Sequence, residues 1–206
     1  MTKRRNLIFV ALATLILISF GYARQEQRIT MESLLNEMTD RSRLAQFPEP
    51  EYSCKQFSSY NQTSVKPGDY SWFANLDNNY FLRTEENNGR REFVLFDAEG
   101  PGTDVRFWAT FSRYDKKDIL RFYFDNEKTP RLEGESMDLP NGGKIVGVPL
   151  SFSVSEGTDY ARRGHNLYLP IPYSKHLKIT YETDGIKKAR TGINETNEST
   201  GEMFYY

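Results

Sequence analysis

Between Val105 and Phe111 the chain alternates: Val105, Phe107, Ala109 and Phe111 are apolar, and Arg106, Trp108 and Thr110 stand between them. A side-chain period of two belongs to an extended strand with one face turned to a core. The neighbouring segments carry the same signal. Phe93-Val94-Leu95-Phe96 is a short apolar run closed by the turn residues Glu99-Gly100-Pro101-Gly102. Further strands are predicted over 119–125, over 144–154 around Pro149, and over 166–173, 177–182 and 203–206, with Asn141-Gly142-Gly143 as a hairpin-like turn. Six or seven strands at irregular spacing predict an all-β fold, a sandwich or jelly roll. Aromatic residues make up 14% of the chain, and Tyr and Phe favour strands.

Two segments break the strand pattern. Thr30 is placed to cap a short helix whose apolar positions Met31, Leu34, Leu35 and Met38 follow helical spacing, ending before Pro48 and Pro50. The stretch from Tyr52 to Asn88 mixes Ser, Asn, Asp and Gly with exposed-looking aromatics, and reads as long functional loops. Residues 184–202 are polar and also read as a loop. The aromatic segment Glu202-Met203-Phe204-Tyr205-Tyr206 must then pair inside a sheet or present a sticky edge that another polypeptide completes.

Lys3, Arg4 and Arg5 precede an apolar run from Leu7 to Phe20, followed by Gly21-Tyr22-Ala23 with small residues where a signal peptidase reads. Residues 1–23 are therefore expected to be a secretory signal, directing the protein to the periplasm or outside the cell. The alternative is an uncleaved anchor, but the 14-residue run is shorter than the ~20 residues a bilayer needs. Cleavage removes three cations and no anions, taking the formal net charge from −1 to −4. That balance argues against nucleic acid as a partner, and no membrane contact is expected after cleavage.

One cysteine, Cys54, excludes an internal disulfide, and with only His165 and His176 no cysteine- or histidine-built metal centre can form. No phosphate-binding glycine loop and no Ser-His-Asp order occurs, so neither cofactor nor metal is expected. Glycoside hydrolysis needs two carboxyls about 5–10 Å apart, and Asp97, Glu99 and Asp104 flank the Gly-Pro-Gly turn. The plainer reading makes them turn caps and solvated charges. Ser58-Ser59-Tyr60 suits a polyol or an ordinary turn, and Trp72 and Trp108 suit a sugar face or a core. His165, after Arg162-Arg163-Gly164, reads as part of a polar loop, and Asn61, Asn194 and Asn197 head N-glycosylation tripeptides.

Three blocks carry a resemblance. They are Gln56-Phe57-Ser58-Ser59-Tyr60-Asn61-Gln62-Thr63, then Asp97-Ala98-Glu99-Gly100-Pro101-Gly102-Thr103-Asp104-Val105-Arg106-Phe107-Trp108, then Asn166-Leu167-Tyr168-Leu169-Pro170-Ile171-Pro172-Tyr173. In this order, over about Leu34 to Tyr206, the chain resembles glycoside hydrolase family 172. It departs from the family pattern at Asn61 and Gln62, where an Asp and an Arg are usual, at Phe124-Asp125-Asn126 for an Asp-Gly-like strand end, and at Tyr173 for Phe.

The resemblance implies a retaining furanosidase-like enzyme acting on fructofuranosyl or D-arabinofuranosyl glycans through paired glutamates. It also implies two tandem jelly rolls assembled as trimers or larger oligomers. Residues 24–50 are then a helix and linker, and 51–206 the first jelly roll, with the catalytic glutamates beyond residue 206. No catalytic residue is expected in this chain, which is therefore expected to be inactive alone. Its partners are a furanoside glycan and a C-terminal jelly-roll half or further copies. Ser58, Ser59, Tyr60, Arg106 and Trp108 are the implied substrate contacts, with the Gly-Pro-Gly turn and Pro170 structural. The alternative is a non-catalytic carbohydrate-binding or assembly module.

Overall fold

A computed structural model describes residues 29–49, 51–73, 76–112, 117–141, 145–191, 198–199 and 202–206. The signal 1–23, the Gly142-Gly143 turn, the Asn194-Glu195-Thr196 tripeptide and Asn197 itself lie outside the described residues. Residues Met31–Tyr206 form one compact unit.

Helix α1 (Met31–Thr39) sits where its spacing predicts, and a 3-10 turn, Arg41–Ala45, follows. Asp40 caps that turn by accepting the Ser42 N–H at 3.0 Å. No described helix is long and apolar enough to cross a membrane.

The remainder is antiparallel β-structure in two main sheets. The first has the order β1 (Arg83–Asn87), β2 (Arg90–Glu99), β10 (His176–Glu182), β5 (Ile119–Phe124), β6 (Leu132–Glu135). The second has the order β13 (Phe204–Tyr205), β4 (Phe107–Phe111), β8 (Gly164–Leu167), β7 (Ser151–Val154). Two short ribbons complete the fold: β3 (Gly102–Asp104) with β9 (Ile171–Tyr173), and β11 (Ile186–Lys188) with β12 (Glu198–Ser199).

The ribbon β3/β9 joins the sheets. β2 pairs with β10, β3 with β9 and β4 with β8, so two chain segments stay paired while passing from one sheet into the other. Strands that switch sheets in this way make the corners of a sandwich. One irregularity, between Ile179 and Thr180, shifts the β2–β10 register.

The core lies between the sheets. Phe93, Leu95, Leu120, Phe122, Leu177, Ile179 and Tyr181 come from the first, and Phe107, Ala109, Phe111, Leu167 and Phe204 from the second. Phe204 stacks on Tyr181 with ring centroids 4.5 Å apart, and Phe107 meets Phe122 at 6.3 Å. Each such burial removes apolar area worth about 1.5–3 kcal/mol from water. The fold is therefore the β-sandwich that the alternation predicts.

Several expectations are corrected. Val105 shares the apolar period but lies exposed, because residues 105–106 fall between β3 and β4, outside any strand. The strand expected over 144–154 is confined to β7, and the one over 166–173 divides into β8 and β9 at Tyr168-Leu169-Pro170. The loop expected to Asn88 contains β1, and the one over 184–202 contains β11 and β12. His165 is not in a polar loop. It sits fully buried in β8, its Nδ1 3.0 Å from Asn141 Oδ1, and burial holds its pKa below the usual value.

Candidate functional site

Corner, sheet face and loop base gather the residues that the sequence singled out. At the corner the aromatic ring of Tyr173 lies across the Gly-Pro-Gly turn. A Cβ on Gly102 would stand 2.4 Å from Tyr173 Oη, and one on Gly100 2.9 Å from Tyr173 Cδ2, so glycine is required at both positions by close approach. Asp125, at φ 53°, ends β5 with its Oδ1 accepting the backbone N–H groups of Ser174, Lys175 and His176 at 3.1, 2.7 and 3.3 Å. Those bonds, the one from Lys175 first, hold its carboxyl below the usual range. The Asp125-Asn126 strand end thus pins the start of β10.

Of the flanking acids, Asp97 and Asp104 have their own partners. Asp97 accepts from Arg83 and lies 2.5 Å from His176 Nε2. Burial alone would raise its pKa, but these two partners outweigh burial and hold it low. Asp104 takes the Arg106 N–H at 3.3 Å, and burial pushes its carboxyl up to about 6. Glu99 is exposed. Six residues lie between Asp97 and Asp104; Asp97 pairs with Lys178 of β10 and Asp104 with Ile171 of β9. Asp97 and Asp104 thus stand on different strands with different partners, on either side of the Gly-Pro-Gly turn.

Beyond the corner, Arg106 and Trp108 meet on the outer face of the second sheet. Phe107, Ala109 and Phe111 fill the core side of β4, which turns Trp108 outward. Trp108 pairs with Asn166 of β8, and Asn166 with Phe152 of β7. Arg106 Nη2 donates to Asn166 Oδ1 at 3.3 Å, its guanidinium lies 5.5 Å from the Tyr168 ring centre, and Tyr168 stacks on Phe152 at 5.9 Å. Gly164 leaves room for the indole, since a Cβ there would lie 3.0 Å from Trp108 Nε1. The face joins a half-buried indole, an exposed guanidinium and two stacked rings over the buried Asn166 amide, whose Nδ2 donates to Gly164 O at 3.3 Å. Asn166, Tyr168 and Phe152 join Arg106 and Trp108 there; the strand period around Phe152 is the signal that points to it.

Ser58, Ser59 and Tyr60 lie at the edge of the same sheet. Ser59 is buried; its hydroxyl donates to Asp77 O at 2.7 Å and accepts the Tyr206 N–H at 3.1 Å. Asn61 takes three donors, from Thr63 N–H, Thr63 hydroxyl and Tyr80 hydroxyl, at 3.0, 2.7 and 3.0 Å. These bonds close the base of a loop that carries the exposed side chains of Tyr60, Val65, Trp72, Phe73 and Leu76. Tyr206 follows β13, which pairs with β4, so Ser59 and Trp108 stand about two strand spacings apart, roughly 10 Å.

The first sheet carries a charged layer on its outer face. Lys178 Nζ lies 2.7 Å from Glu85 Oε2, and Arg83 binds both Glu85 and Asp97. Beneath it Glu92, fully buried, accepts from Tyr123 hydroxyl at 2.8 Å, Thr180 hydroxyl at 2.8 Å and Arg90 Nε at 3.0 Å. Burial and then Glu92 push the Tyr123 phenol up to about 12. An open polar groove of about 470 Å³ adjoins this layer, lined by Asn87, Tyr123, Asn126, His176 and Lys178 among others. Among the described residues no group of three His, Cys, Asp or Glu side chains is placed to hold a metal.

Two antiparallel sheets joined by a corner ribbon, with an aromatic outer face, define a β-sandwich domain. Its sequence matches the family described as "GH172 first beta-sandwich domain" over residues 50–206, and the chain belongs to that family. No curated protein and no solved structure was found to match it.

Proposed function

We propose that the chain is the sugar-holding leading sandwich of a furanosidase-like glycoside hydrolase that acts on fructofuranosyl or D-arabinofuranosyl glycans. The observation that carries this reading is the face formed by Arg106, Trp108, Asn166 and Tyr168. An indole offers a flat apolar surface to the C–H groups of a sugar ring, and the exposed Arg106 guanidinium, held by the buried Asn166 amide, offers hydrogen bonds to its hydroxyls. The Ser58-Ser59-Tyr60 loop frames one side, with Tyr60 exposed.

Cleavage falls to glutamates supplied beyond residue 206, in a second jelly roll or through assembly with further copies. The commitment of Asp97 to Arg83 and His176 supports that division of labour. The basic and apolar leader at residues 1–23 supports export to the periplasm or beyond. A second reading, a self-contained carbohydrate-binding module, is favoured by one observation: β13 is hydrogen-bonded along both edges within the chain.

Titration of the full chain with arabinofuranosyl and fructosyl oligosaccharides by calorimetry tests the proposal. Binding that Trp108→Ala abolishes, with no sugar released on long incubation, is the expected result. Release of furanose by this chain alone would defeat the division of labour, and binding indifferent to Trp108 would defeat the site.

A further inference from the structure

Arg106 is held in place without being neutralised. Its Nη2 donates to Asn166 Oδ1 at 3.3 Å, and its guanidinium lies 5.5 Å from the centre of the Tyr168 ring. Both supports are themselves fixed: Asn166 is buried in β8 with Nδ2 donating to Gly164 O at 3.3 Å, and Tyr168 is stacked on Phe152. Confining a long side chain to one geometry costs rotamer entropy, and an ion pair is the usual return. Here the residue at 166 is an amide and not an acid. Asp104, the nearest acid in the chain, spends its Oδ1 on the Arg106 backbone N–H at 3.3 Å. Among the described residues no carboxylate pairs with the Arg106 guanidinium.

The first sheet treats its arginines differently. Arg83 of β1 pairs with Glu85 and Asp97, Arg90 of β2 with Glu92, and Arg121 of β5 with Glu133 and Glu182. An exposed guanidinium that is oriented but uncompensated is a planar fork of N–H donors, matched in geometry and charge to the paired oxygens of a carboxylate or phosphate. Trp108 stands two residues further on, roughly 7 Å along the chain, and its cross-strand neighbour is the same Asn166 that holds the fork. An oxyanion seated on Arg106 therefore belongs to the sugar stacked on the indole or to the next one.

We infer that the glycan taken by this face is acidic: Arg106 clasps a carboxylate or phosphate group carried by the sugar stacked on Trp108 or by its neighbour. The inference rests on the proposed sugar face and adds the charge of its ligand. The chain's formal net charge is −1, so attraction of an anion has to come from this local guanidinium and not from the overall field of the protein.

Calorimetry on the full chain tests it with an arabinofuranosyl oligosaccharide in its neutral form, phosphorylated at the terminal 5-hydroxyl, and oxidised there to a carboxylate. At least one acidic form should bind about tenfold or more tighter than the neutral one, and the form that does so identifies the oxyanion. That preference should shrink with added salt. Arg106→Gln should bring the ratio of acidic to neutral affinity to about one, whatever it costs the neutral form, and Arg106→Lys, which keeps the charge without the fork, should retain part of it. Asn166→Asp sets a carboxylate against the guanidinium and should erase the preference with Arg106 still present. Circular dichroism with unchanged strand content establishes that each variant folds. Equal affinity for all three forms, lost in Trp108→Ala, overturns the inference and leaves the sugar face standing. A preference that survives Arg106→Gln overturns the assignment to Arg106, and a chain that binds none of the forms overturns the inference and the sugar face together.

Discussion

Ser59 clasps Tyr206 in both directions: the Tyr206 N–H donates to the Ser59 hydroxyl at 3.1 Å, and the Ser59 N–H donates to the Tyr206 carbonyl at 3.2 Å. Two residues earlier, Phe204 exchanges backbone and side-chain bonds with Asn79, at 3.0 and 2.9 Å. On its other edge β13 pairs with β4. An edge that the sequence leaves open to another polypeptide is thereby covered by the chain's own loops, which removes the exposed backbone row that promotes aggregation.

Replacing Ser59 with Ala deletes the acceptor for Tyr206 and the donor to Asp77 in a buried setting. A loss of about 1–2 kcal/mol is expected. Urea denaturation reads the stability, and hydrogen exchange should show the amides of Phe204 and Tyr206 opening faster than those of β10. Unchanged exchange at Tyr206 would mean that the clasp does not hold the strand.

The corner gives a second test. In Gly102→Ala the new methyl would lie 2.4 Å from Tyr173 Oη and 2.5 Å from its Cζ, and the ring, packed on Phe96 at 6.5 Å, has to shift. Overpacking of this kind costs about 1–3 kcal/mol. In a Tyr173→Ala background the same substitution should cost much less, because the obstructing ring is gone. Equal costs in the two backgrounds would show that the turn itself, and not Tyr173, demands glycine.

What the sequence made legible follows from where apolar periodicity exists. Phe107, Ala109 and Phe111 occupy the core as the alternation requires, and Leu177, Ile179 and Tyr181 repeat it in β10. β1, Arg83-Thr84-Glu85-Glu86-Asn87, has no apolar residue at all; cross-strand charge pairs from Arg83 and Glu85 to Asp97 and Lys178 support it, and no pattern of hydrophobicity reports these. Glu202 read as the end of a loop, yet it is buried with its carboxylate accepting from Tyr181 hydroxyl at 2.6 Å and Thr183 hydroxyl at 3.0 Å. Of the candidate site, the strand period exposes Trp108. The joining of Arg106 to Asn166 and Tyr168 depends on which strand lies beside β4, a long-range fact that one sequence does not display.

Asp104 makes a pH prediction with a definite sign. Burial pushes its carboxyl up from the ordinary 3.8 of an unfolded chain to about 6 in the fold. The folded state holds the proton more tightly, so this group favours folding below pH ~4, and that advantage is lost as pH rises to ~6. Asp104→Asn keeps an acceptor for the Arg106 N–H and cannot ionise. Its stability relative to wild type should therefore climb across pH 4 to 6, by roughly 1–3 kcal/mol, and stay level above. Urea midpoints at half-unit steps measure this; a flat or falling difference contradicts the assignment.

Gly164 separates the proposed sugar face from the stability of the sheet that carries it. Its backbone is not in the left-handed region, so alanine is conformationally acceptable there, but the added Cβ would meet Trp108 Nε1 at 3.0 Å and Val154 Cγ2 at 3.1 Å. Both contacts are tight enough to move the indole by a few tenths of an ångström without emptying the core, and the stability change should stay within about 1 kcal/mol. A displaced stacking surface loses part of an interaction of about 0.5–1.5 kcal/mol, which corresponds to roughly two- to tenfold weaker glycan binding. Calorimetry on Gly164→Ala beside Trp108→Ala measures it. Graded loss in the first and full loss in the second is the outcome that ties sugar affinity to the position of the indole, whereas full affinity in Gly164→Ala would place the sugar elsewhere on the sandwich.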